Sequence, residues 1–280
     1  MTSVAMIGLG RMGGPMAINV INAGFEVSVF DVSHDATSSF STLKARIAAS
    51  PSDAALGADV VCIVVFNDEQ TTEVLAGRDG VLHSLQPGSV IAIHSTIAPE
   101  TLRSLTLTAS ATGVHVIDAG ISGGEPGAAA GTLLTMVGGA TEAVRLAMPT
   151  LEAFSKEVIH AGDLGAGLAL KLARNATGYI CMSAIHEAMQ IAAASGVPLD
   201  VLRHTISETG VFEQALSPFL LGGPSPLSDT DTDSMRELLT HLCARAEKDL
   251  DQALALADEL AEDIPVTQAT RLSFRHVARL

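Results

Sequence analysis

The first residues whose spacing could do chemistry form a glycine-rich segment near the N-terminus. Gly8-Leu9-Gly10-Arg11-Met12-Gly13 has the spacing GxGxxG, follows the apolar run Ser3–Ile7 and opens a helical pattern over Met12–Ala23. In that context the glycines permit a tight turn and a close backbone approach to a pyrophosphate, whose charge a helix N-terminus favours. The segment predicts a dinucleotide site. The alternative is an ordinary glycine turn.

An acidic residue follows at the position that would meet a ribose. Asp31 ends the predicted strand Glu26–Phe30, 18 residues after Gly13. A carboxylate there accepts hydrogen bonds from ribose hydroxyls and repels the extra phosphate of NADP. Because no lysine or arginine follows Asp31 before Lys44, we expect NAD rather than NADP. The alternative role for Asp31 is to cap the next helix.

A second group with chemical potential lies in the long apolar segment of the chain. Lys171 and Asn175 are four residues apart, so they share one face of a helix, and Tyr179 continues that face. Burial among apolar neighbours lowers the pKa of a lysine, which suits a general acid or base. Asn175 would hold the lysine or a substrate oxygen, and Tyr179 would line the pocket. The alternative is a lysine whose ammonium reaches water along a buried stem.

A third group could hold an anion. Ser122-Gly123-Gly124 comes after the predicted strand Val114–Ile117. Two glycines expose backbone N–H groups that form a nest for a carboxylate, and the Ser122 hydroxyl adds a donor. The alternative is a plain glycine-rich turn.

The elements that must position these residues change character along the chain. Helical patterns alternate with strand-like runs at Ser3–Ile7, Glu26–Phe30, Asp59–Val65, Ser89–Ile93, Val114–Ile117, Thr132–Val137 and Glu157–His160. Such alternation predicts an α/β fold with a doubly wound, mostly parallel Rossmann-type sheet. After Gly165 we predict only helices, at Gly165–Ser195, Leu199–Ser207, Glu213–Leu220, Ser234–Ala261 and Val266–Ala278.

Two domains follow from that change. We predict a dinucleotide-binding domain over residues 1–163 and an all-α substrate and dimerisation domain over residues 164–280. The segment Gly165–Val197 is too polar to span a membrane, so we expect a long helix buried in protein, and Asp233 is expected to cap a later helix. Apolar faces in so helical a region favour a homodimer or homotetramer.

Composition limits the partners. The 280 residues carry 16 basic and 31 acidic side chains, a formal charge of −15, which disfavours nucleic acid and anionic membrane surfaces. Cys62, Cys181 and Cys243 form no CxxC pair and no ligand spacing predicts a metal. Together with the absence of a signal-peptide pattern, this favours a reducing, cytoplasmic location.

Four stretches resemble the β-hydroxyacid dehydrogenase family, which includes 3-hydroxyisobutyrate dehydrogenase and, more distantly, 6-phosphogluconate dehydrogenase. They are Gly8–Ala17, Asp118–Gly124, Gly165–Gly167 with Lys171 and Asn175, and Lys248–Leu250. The resemblance implies reversible oxidation of a 3-hydroxy acid, a small carboxylic acid, to its semialdehyde with NAD. Lys171 would be the general acid/base, and Asn175 would orient the reacting groups.

The resemblance also implies further contacts. Ser122, Gly123 and Gly124 would hold the substrate carboxylate, Thr96 would lie near the nicotinamide ribose, and Lys248 would reach the cleft to contact substrate and cofactor. The chain departs from the family at Phe66-Asn67, where many members have Leu-Pro; these two residues are still expected to line the cofactor cleft. It also has Gly120 where a proline is usual, so that loop is expected to lie differently.

Two rival functions remain. An imine reductase would use the same architecture, but such relatives usually lack a lysine at the position of Lys171. A non-catalytic NAD-binding scaffold would tolerate loss of Lys171.

Overall fold

The computed structural model describes residues 2–280. Its strands are β1 (Ser3–Ile7), β2 (Glu26–Phe30), β3 (Ala45–Ile47), β4 (Val60–Ile63), β5 (Val90–Ile93), β6 (His115–Ser122), β7 (Leu133–Gly138) and β8 (Ser155–Gly162). They form one sheet in the order β3-β2-β1-β4-β5-β6-β7-β8. Every neighbouring pair is parallel except β6 with β7. The predicted α/β class with a mostly parallel sheet is confirmed.

Helices alternate with these strands and then continue alone. They are α1 (Gly13–Asn22), α2 (His34–Ser38), α3 (Pro51–Ala55), α4 (Asp68–Ala76), α5 (Pro99–Ser110), α6 (Gly124–Ala130), α7 (Thr141–Glu152), α8 (Ala166–Ala194), α9 (Leu199–Glu208), α10 (Val211–Gln214), α11 (Ser217–Leu220), α12 (Asp233–Glu259) and α13 (Pro265–Val277). Within residues 2–280, no helix is both long and apolar enough to cross a membrane.

The central strands are apolar on both faces because helices cover both sides of the sheet. All residues of β4 and β5 are buried. Alternate side chains enter two cores: Val60 and Cys62 pack on one face, whereas Val61 and Ile63 pack on the other. Continuous β-branched runs are typical of parallel strands in this environment.

The chain divides into two compact units, residues up to Arg174 and from Asn175 onward, called here the α/β unit and the helical unit. The division falls inside α8. The predicted domain boundary after residue 163 stays a prediction.

Two local expectations for the helical unit were wrong. Thr232, not Asp233, caps α12, since its hydroxyl accepts a hydrogen bond from Met235 N at 3.2 Å. The helix predicted over Glu213–Leu220 is instead the two short helices α10 and α11. Pro218, in the first turn of α11, has no N–H to continue a helix from the residues before it.

The long helix α8 is less buried than its apolar sequence predicts. In the single chain, the side chains of Tyr179, Ile180 and Met182 are 67%, 60% and 67% exposed. Glu187 on the same helix is buried, and its two oxygens accept hydrogen bonds from Val266 N at 2.6 Å and Thr267 N at 2.8 Å. Glu187 therefore caps the first turn of α13.

The three cysteines have different surroundings. Cys62 and Cys243 are buried, and burial raises the pKa of the Cys62 thiol to about 12 and also raises that of Cys243. Cys181 on α8 is partly exposed.

Candidate active site

The glycine loop joins β1 to α1 as the sequence predicts. Gly8 N donates to Phe30 O at 3.0 Å, which ties the loop to the end of β2. A Cβ on Gly13 would overlap the Gly8 carbonyl oxygen, whereas one on Gly10 would meet nothing within 4 Å. Gly13 is therefore needed for packing, and the space over Gly10 is open to a ligand. Met12, at the N-cap of α1, makes no side-chain cap, so the helix N-terminus suits an anion.

Asp31 is held beside this loop at the end of β2. One carboxylate oxygen accepts a hydrogen bond from Leu9 N at 2.6 Å and the other from Ser33 N at 2.7 Å. Ser33 supplies the side-chain cap of α2, so the predicted alternative role of Asp31 is taken by a neighbour. Each carboxylate oxygen retains a lone pair for a ribose hydroxyl. The loop and Asp31 together fit NAD.

A serine fixes the ends of the two central strands. The Ser95 hydroxyl donates to Val65 O at 2.7 Å and receives a hydrogen bond from Val65 N at 3.1 Å. Thr96, which we predicted to lie near the ribose, is exposed beside it. The sequence pointed to the pair Ser95-Thr96 and favoured Thr96 of the two; the bridging role of Ser95 between the strand ends emerges only in the structure.

Phe66 and Asn67, at which the chain departs from the family pattern, lie in the loop between β4 and α4. Phe66 is 87% exposed, and its N–H donates to Gln70 Oε1 at 2.9 Å. Asn67 caps α4, since its side-chain oxygen accepts a hydrogen bond from Gln70 N at 2.9 Å. Their cofactor contacts stay predictions.

Lys171 projects from the first turns of α8 over β6. Its ammonium donates to Ile121 O at 2.6 Å. Its stem lies over Gly120, where an added Cβ would come within 2.7 Å of the lysine Cδ. Burial lowers the pKa of Lys171, and the positive charge of Arg174 lowers it further. This direction agrees with the predicted acid/base chemistry.

The predicted anion nest follows Ile121 directly. β6 ends at Ser122, and Gly123 and Gly124 have φ of +136° and +63°, which only glycine adopts readily. Gly120 is not in a loop: it pairs with Met136 of β7 inside β6. β6 therefore keeps regular strand geometry up to Ser122, the residue after the Ile121 carbonyl that accepts the hydrogen bond from Lys171.

Asp118, on the same strand, is buried at 3% exposure. Its oxygens accept hydrogen bonds from Gly165 N at 2.7 Å and Leu168 N at 2.6 Å, at the start of α8. The pKa of Asp118 is raised, because burial raises it by more than the hydrogen bonds from these N–H groups and from Gly167 lower it. The sequence placed Asp118 only within the segment Asp118–Gly124 that resembles the family, and gave it no individual role, because its partners lie far along the chain.

His94 was also missed. It is 3% exposed just after β5, and its Nδ1 lies 2.7 Å from Ala119 O, so Nδ1 carries the proton. Its Nε2 is buried and makes no hydrogen bond within the described residues. The ring meets Phe154 edge-on, with centroids 5.6 Å apart. Burial lowers the pKa of His94 to about 4, and the charge of Lys171 acts in the same direction, so the ring is neutral.

Three predicted site residues belong to the helical unit. Asn175 lies one turn after Lys171 on α8, and Tyr179 follows one turn later. The Lys248 ammonium, on α12, pairs with Asp249 at 3.1 Å, and both side chains are exposed. The roles predicted for these residues stay predictions.

Comparison with known proteins decides the family. Residues 3–162 match the family described as the NAD binding domain of 6-phosphogluconate dehydrogenase. A 3-hydroxyisobutyrate dehydrogenase of Pseudomonas aeruginosa is 36% identical, with 78% of this chain and 73% of the relative covered. The chain belongs to the β-hydroxyacid dehydrogenase family. An NAD-dependent L-serine dehydrogenase of the same organism is 39% identical to this β-hydroxyacid dehydrogenase, over 72% of this chain and 68% of the relative.

Comparison with solved structures gives the same fold. An oxidoreductase from Mycobacterium avium 104 superposes with a TM-score of 0.85 at 32% identity, covering 100% of this chain and 99% of that one. A variant of the imine reductase from Myxococcus stipitatus, in complex with NAD+, shares the fold with a TM-score of 0.83 at 19% identity, covering 100% and 94%. This β-hydroxyacid dehydrogenase is therefore an oxidoreductase with an NAD-binding domain, as predicted.

Proposed function

We propose that this β-hydroxyacid dehydrogenase interconverts a 3-hydroxy acid and its semialdehyde, with Lys171 as the general acid/base. One observation carries the proposal. The Lys171 ammonium lies 2.6 Å from Ile121 O, the residue directly before the Ser122-Gly123-Gly124 segment. A proton-transfer group and a set of anion donors therefore meet at one strand end.

The chemistry of Lys171 follows from its surroundings. Because burial and Arg174 lower its pKa, a larger fraction of the amine is neutral near neutral pH than for an exposed lysine. The neutral amine takes the proton of the substrate hydroxyl during oxidation. In the reverse direction the ammonium returns that proton to the carbonyl oxygen.

The substrate carboxylate is assigned to the Ser122-Gly123-Gly124 segment. Gly123 and Gly124 are exposed, so their N–H groups are accessible, and Ser122 contributes a hydroxyl. A carboxylate held there lies next to Lys171, which leaves the 3-hydroxyl as the group that meets the amine.

When bound, NAD would supply the hydride acceptor for oxidation and the hydride donor for reduction. The residues proposed to hold it are Gly8, Leu9, Gly10, Arg11, Met12 and Gly13 at the pyrophosphate, Asp31 at the ribose, and Thr96, Phe66 and Asn67 along the cleft. From the family resemblance we assign Asn175 to orient the reacting groups, and Tyr179 and Lys248 to contact substrate. Lys248 is also assigned to the cofactor.

The substrate class rests on the relatives. Two of them are named for 3-hydroxyisobutyrate and L-serine, which are both carboxylic acids with a hydroxyl on the third carbon. We therefore propose a small acid of this kind, without assigning which one.

We also propose that the protein assembles as a homodimer or homotetramer. Tyr179, Ile180 and Met182 expose large apolar surfaces on one helix of the single chain. Several large apolar side chains left exposed along one helix mark a surface that another chain can cover. A second copy presents the same surface, which satisfies the symmetry of a closed dimer.

The test is NADH formation with a panel of 3-hydroxy acids, in the wild type beside Lys171→Ala. We expect turnover that falls by about a hundredfold or more in the variant. Lys156→Ala, which removes an exposed lysine of β8, is the matched control and should keep wild-type activity. Turnover that survives in Lys171→Ala would refute the acid/base role. Cofactor binding without turnover of any acid would favour an imine reductase or a scaffold.

A further inference from the structure

The helix that carries Lys171 begins without a capping side chain of its own. α8 is preceded by Gly165 and starts with Ala166-Gly167, none of which bears a polar side chain. The first N–H groups of any helix have no partner within it, and Ser, Thr, Asp or Asn at the N-cap normally satisfies them. Here Ala166 N finds Asp163 O at 2.9 Å, so the following N–H groups need another acceptor.

Asp118 supplies that acceptor from the sheet. Its carboxylate receives hydrogen bonds from Gly165 N at 2.7 Å and Leu168 N at 2.6 Å, residues 47 and 50 positions later in the chain. A negative charge at a helix N-terminus is favourable, and charge-assisted hydrogen bonds of this length are strong. Gly167 allows the approach, because a Cβ there would overlap the Met136 carbonyl oxygen.

A second attachment follows one helical turn later. Leu168 is bound to Asp118, and Lys171, three residues on along α8, is bound to Ile121, three residues on along β6. The two bonds fix both the position and the direction of this first part of the helix against the strand. Loss of the Asp118 bonds would remove the polar attachment that fixes the register of the helix start against β6, and would leave the packing of the buried Leu168 and the tip of the lysine side chain to hold it.

We propose that Asp118 is a positioning residue for the acid/base lysine: it caps α8 from β6 and thereby holds Lys171 over Ile121. This rests on the function proposed for Lys171. Asp118 touches neither the lysine nor the reacting atoms in this assignment; it acts through the helix.

A matched control exists in the helical unit. Glu187 is also a buried carboxylate that caps a helix, through Val266 N and Thr267 N of α13. The helix it caps carries none of the proposed site residues. Asp118→Asn and Glu187→Gln therefore make the same chemical change, the loss of charge and of one acceptor oxygen, at two helix N-termini. Both substitutions should lower thermal stability. Only Asp118→Asn should change the position of Lys171, and with it kcat and the pKa of the lysine.

The first arm measures turnover in two backgrounds. We expect Asp118→Asn to lower kcat by about ten- to a hundredfold in the wild type, as misplaced catalytic groups do, and by less than about twofold in Lys171→Ala. Glu187→Gln should leave kcat within about twofold of the wild type. Equal losses in both backgrounds would mean that Asp118 is only structural and would overturn the proposal. Full turnover in Lys171→Ala would instead refute the proposed function of the lysine.

The second arm needs no substrate. Trace labelling of Lys171 with acetic anhydride across a pH series, read by mass spectrometry, gives the pKa of its amine. Asp118→Asn should raise that pKa toward the ordinary lysine range, because a displaced lysine regains water, whereas Glu187→Gln should not. Unchanged titration in Asp118→Asn would overturn the proposal even if no substrate is found. If this variant does not fold, Asp118→Ser, which keeps one acceptor oxygen, takes its place.

Discussion

The α/β unit and the helical unit contain similar kinds of apolar residue but bury them to different extents. Phe40 and Phe154 of the α/β unit are 2% and 0% exposed, whereas Phe219 and Leu272 of the helical unit are 84% and 80% exposed. Within the described residues, the helices α9, α10, α11 and α13 contain no buried residue. The sheet with helices on both faces encloses an extensive core, whereas the helical unit buries few apolar side chains, among them Leu239 and Cys243.

The difference teaches where each unit obtains its stability. Burial of apolar area is the main favourable contribution to folding. The α/β unit obtains this contribution from contacts within a single chain. The apolar surface of the helical unit contributes only when something covers it, which agrees with the proposed oligomer. Four experiments can break or sharpen this contrast.

The largest effect is expected from removing one aromatic ring in each unit. Phe154→Ala leaves a cavity in a closed core and should lower the free energy of unfolding by about 3–5 kcal/mol. Phe219→Ala removes an exposed ring and should change it by no more than about 0.5 kcal/mol. Urea unfolding of both variants measures this. Similar losses at protein concentrations low enough to separate any oligomer into single chains would contradict the contrast between the two units.

The buried histidine should make the α/β unit sensitive to acid. His94 has a pKa of about 4 in the fold against 6.5 in the unfolded chain, so its contribution is complete above pH 6.5 and is lost as the pH falls toward 4. Lowering the pH from 7 to 5 should cost about 2 kcal/mol through this group.

His94→Asn keeps a donor near Ala119 O without a titrating ring and should remove this loss. His241→Asn in the helical unit, where the side chain is 78% exposed, should leave it intact. Denaturant unfolding at the two pH values checks the comparison. An equal loss at pH 5 in wild type and His94→Asn would exclude His94 as its source.

Dilution should act through the exposed surface of α8. If two copies cover it, each tenfold dilution should lower the apparent free energy of unfolding by about 1.4 kcal/mol of dimer. Ile180→Asp, which places a charge on that surface, should abolish the dependence and give a monomer by light scattering. A wild-type midpoint that does not move over a hundredfold range of concentration would argue against the oligomer.

The smallest effect is expected at ion pairs on the surface. Arg271 joins α13 to Asp251 of α12 at 2.6 Å, and Arg46 joins Asp53 at 2.7 Å in the α/β unit. Asp53 also accepts a hydrogen bond from Ala49 N, the largest cause of its lowered pKa. Asp53→Asn should therefore lower the melting temperature more than Asp251→Asn, and only the second loss should vanish at high salt. The reverse order would contradict this assignment.

Local signals were sufficient for much of the fold and part of the site. The strands were predictable because runs such as Val60–Ile63 match the period and burial of a covered strand. The turn over Gly8 to Gly13 was predictable because it brings backbone segments so close together that only glycine fits, and the glycine spacing is visible in the sequence. Lys171 was singled out only through the family resemblance, because a lysine in an apolar helix more often extends its ammonium to water, and its catalytic role stays a prediction.

What was missed depends on contacts between distant segments. Asp118 and the start of α8 are 47 to 50 residues apart, and nothing near Asp118 indicates that a helix begins above it. The antiparallel pairing of β6 with β7 and the burial of His94 also arise only in the folded sheet. The exposure of α8 was mispredicted for a related reason: an apolar sequence predicts that a surface will be covered, but not by which chain.

The cysteines give the protein a ready means of site-specific labelling. Cys62 and Cys243 are buried with raised thiol pKa values, so little thiolate forms there near neutral pH. Cys181 is partly exposed and lies on α8, ten residues after Lys171. A maleimide fluorophore should therefore attach mainly at this one position of the single chain, and more slowly where the proposed oligomer covers α8. Its emission would then follow changes around α8 in real time, without an engineered cysteine.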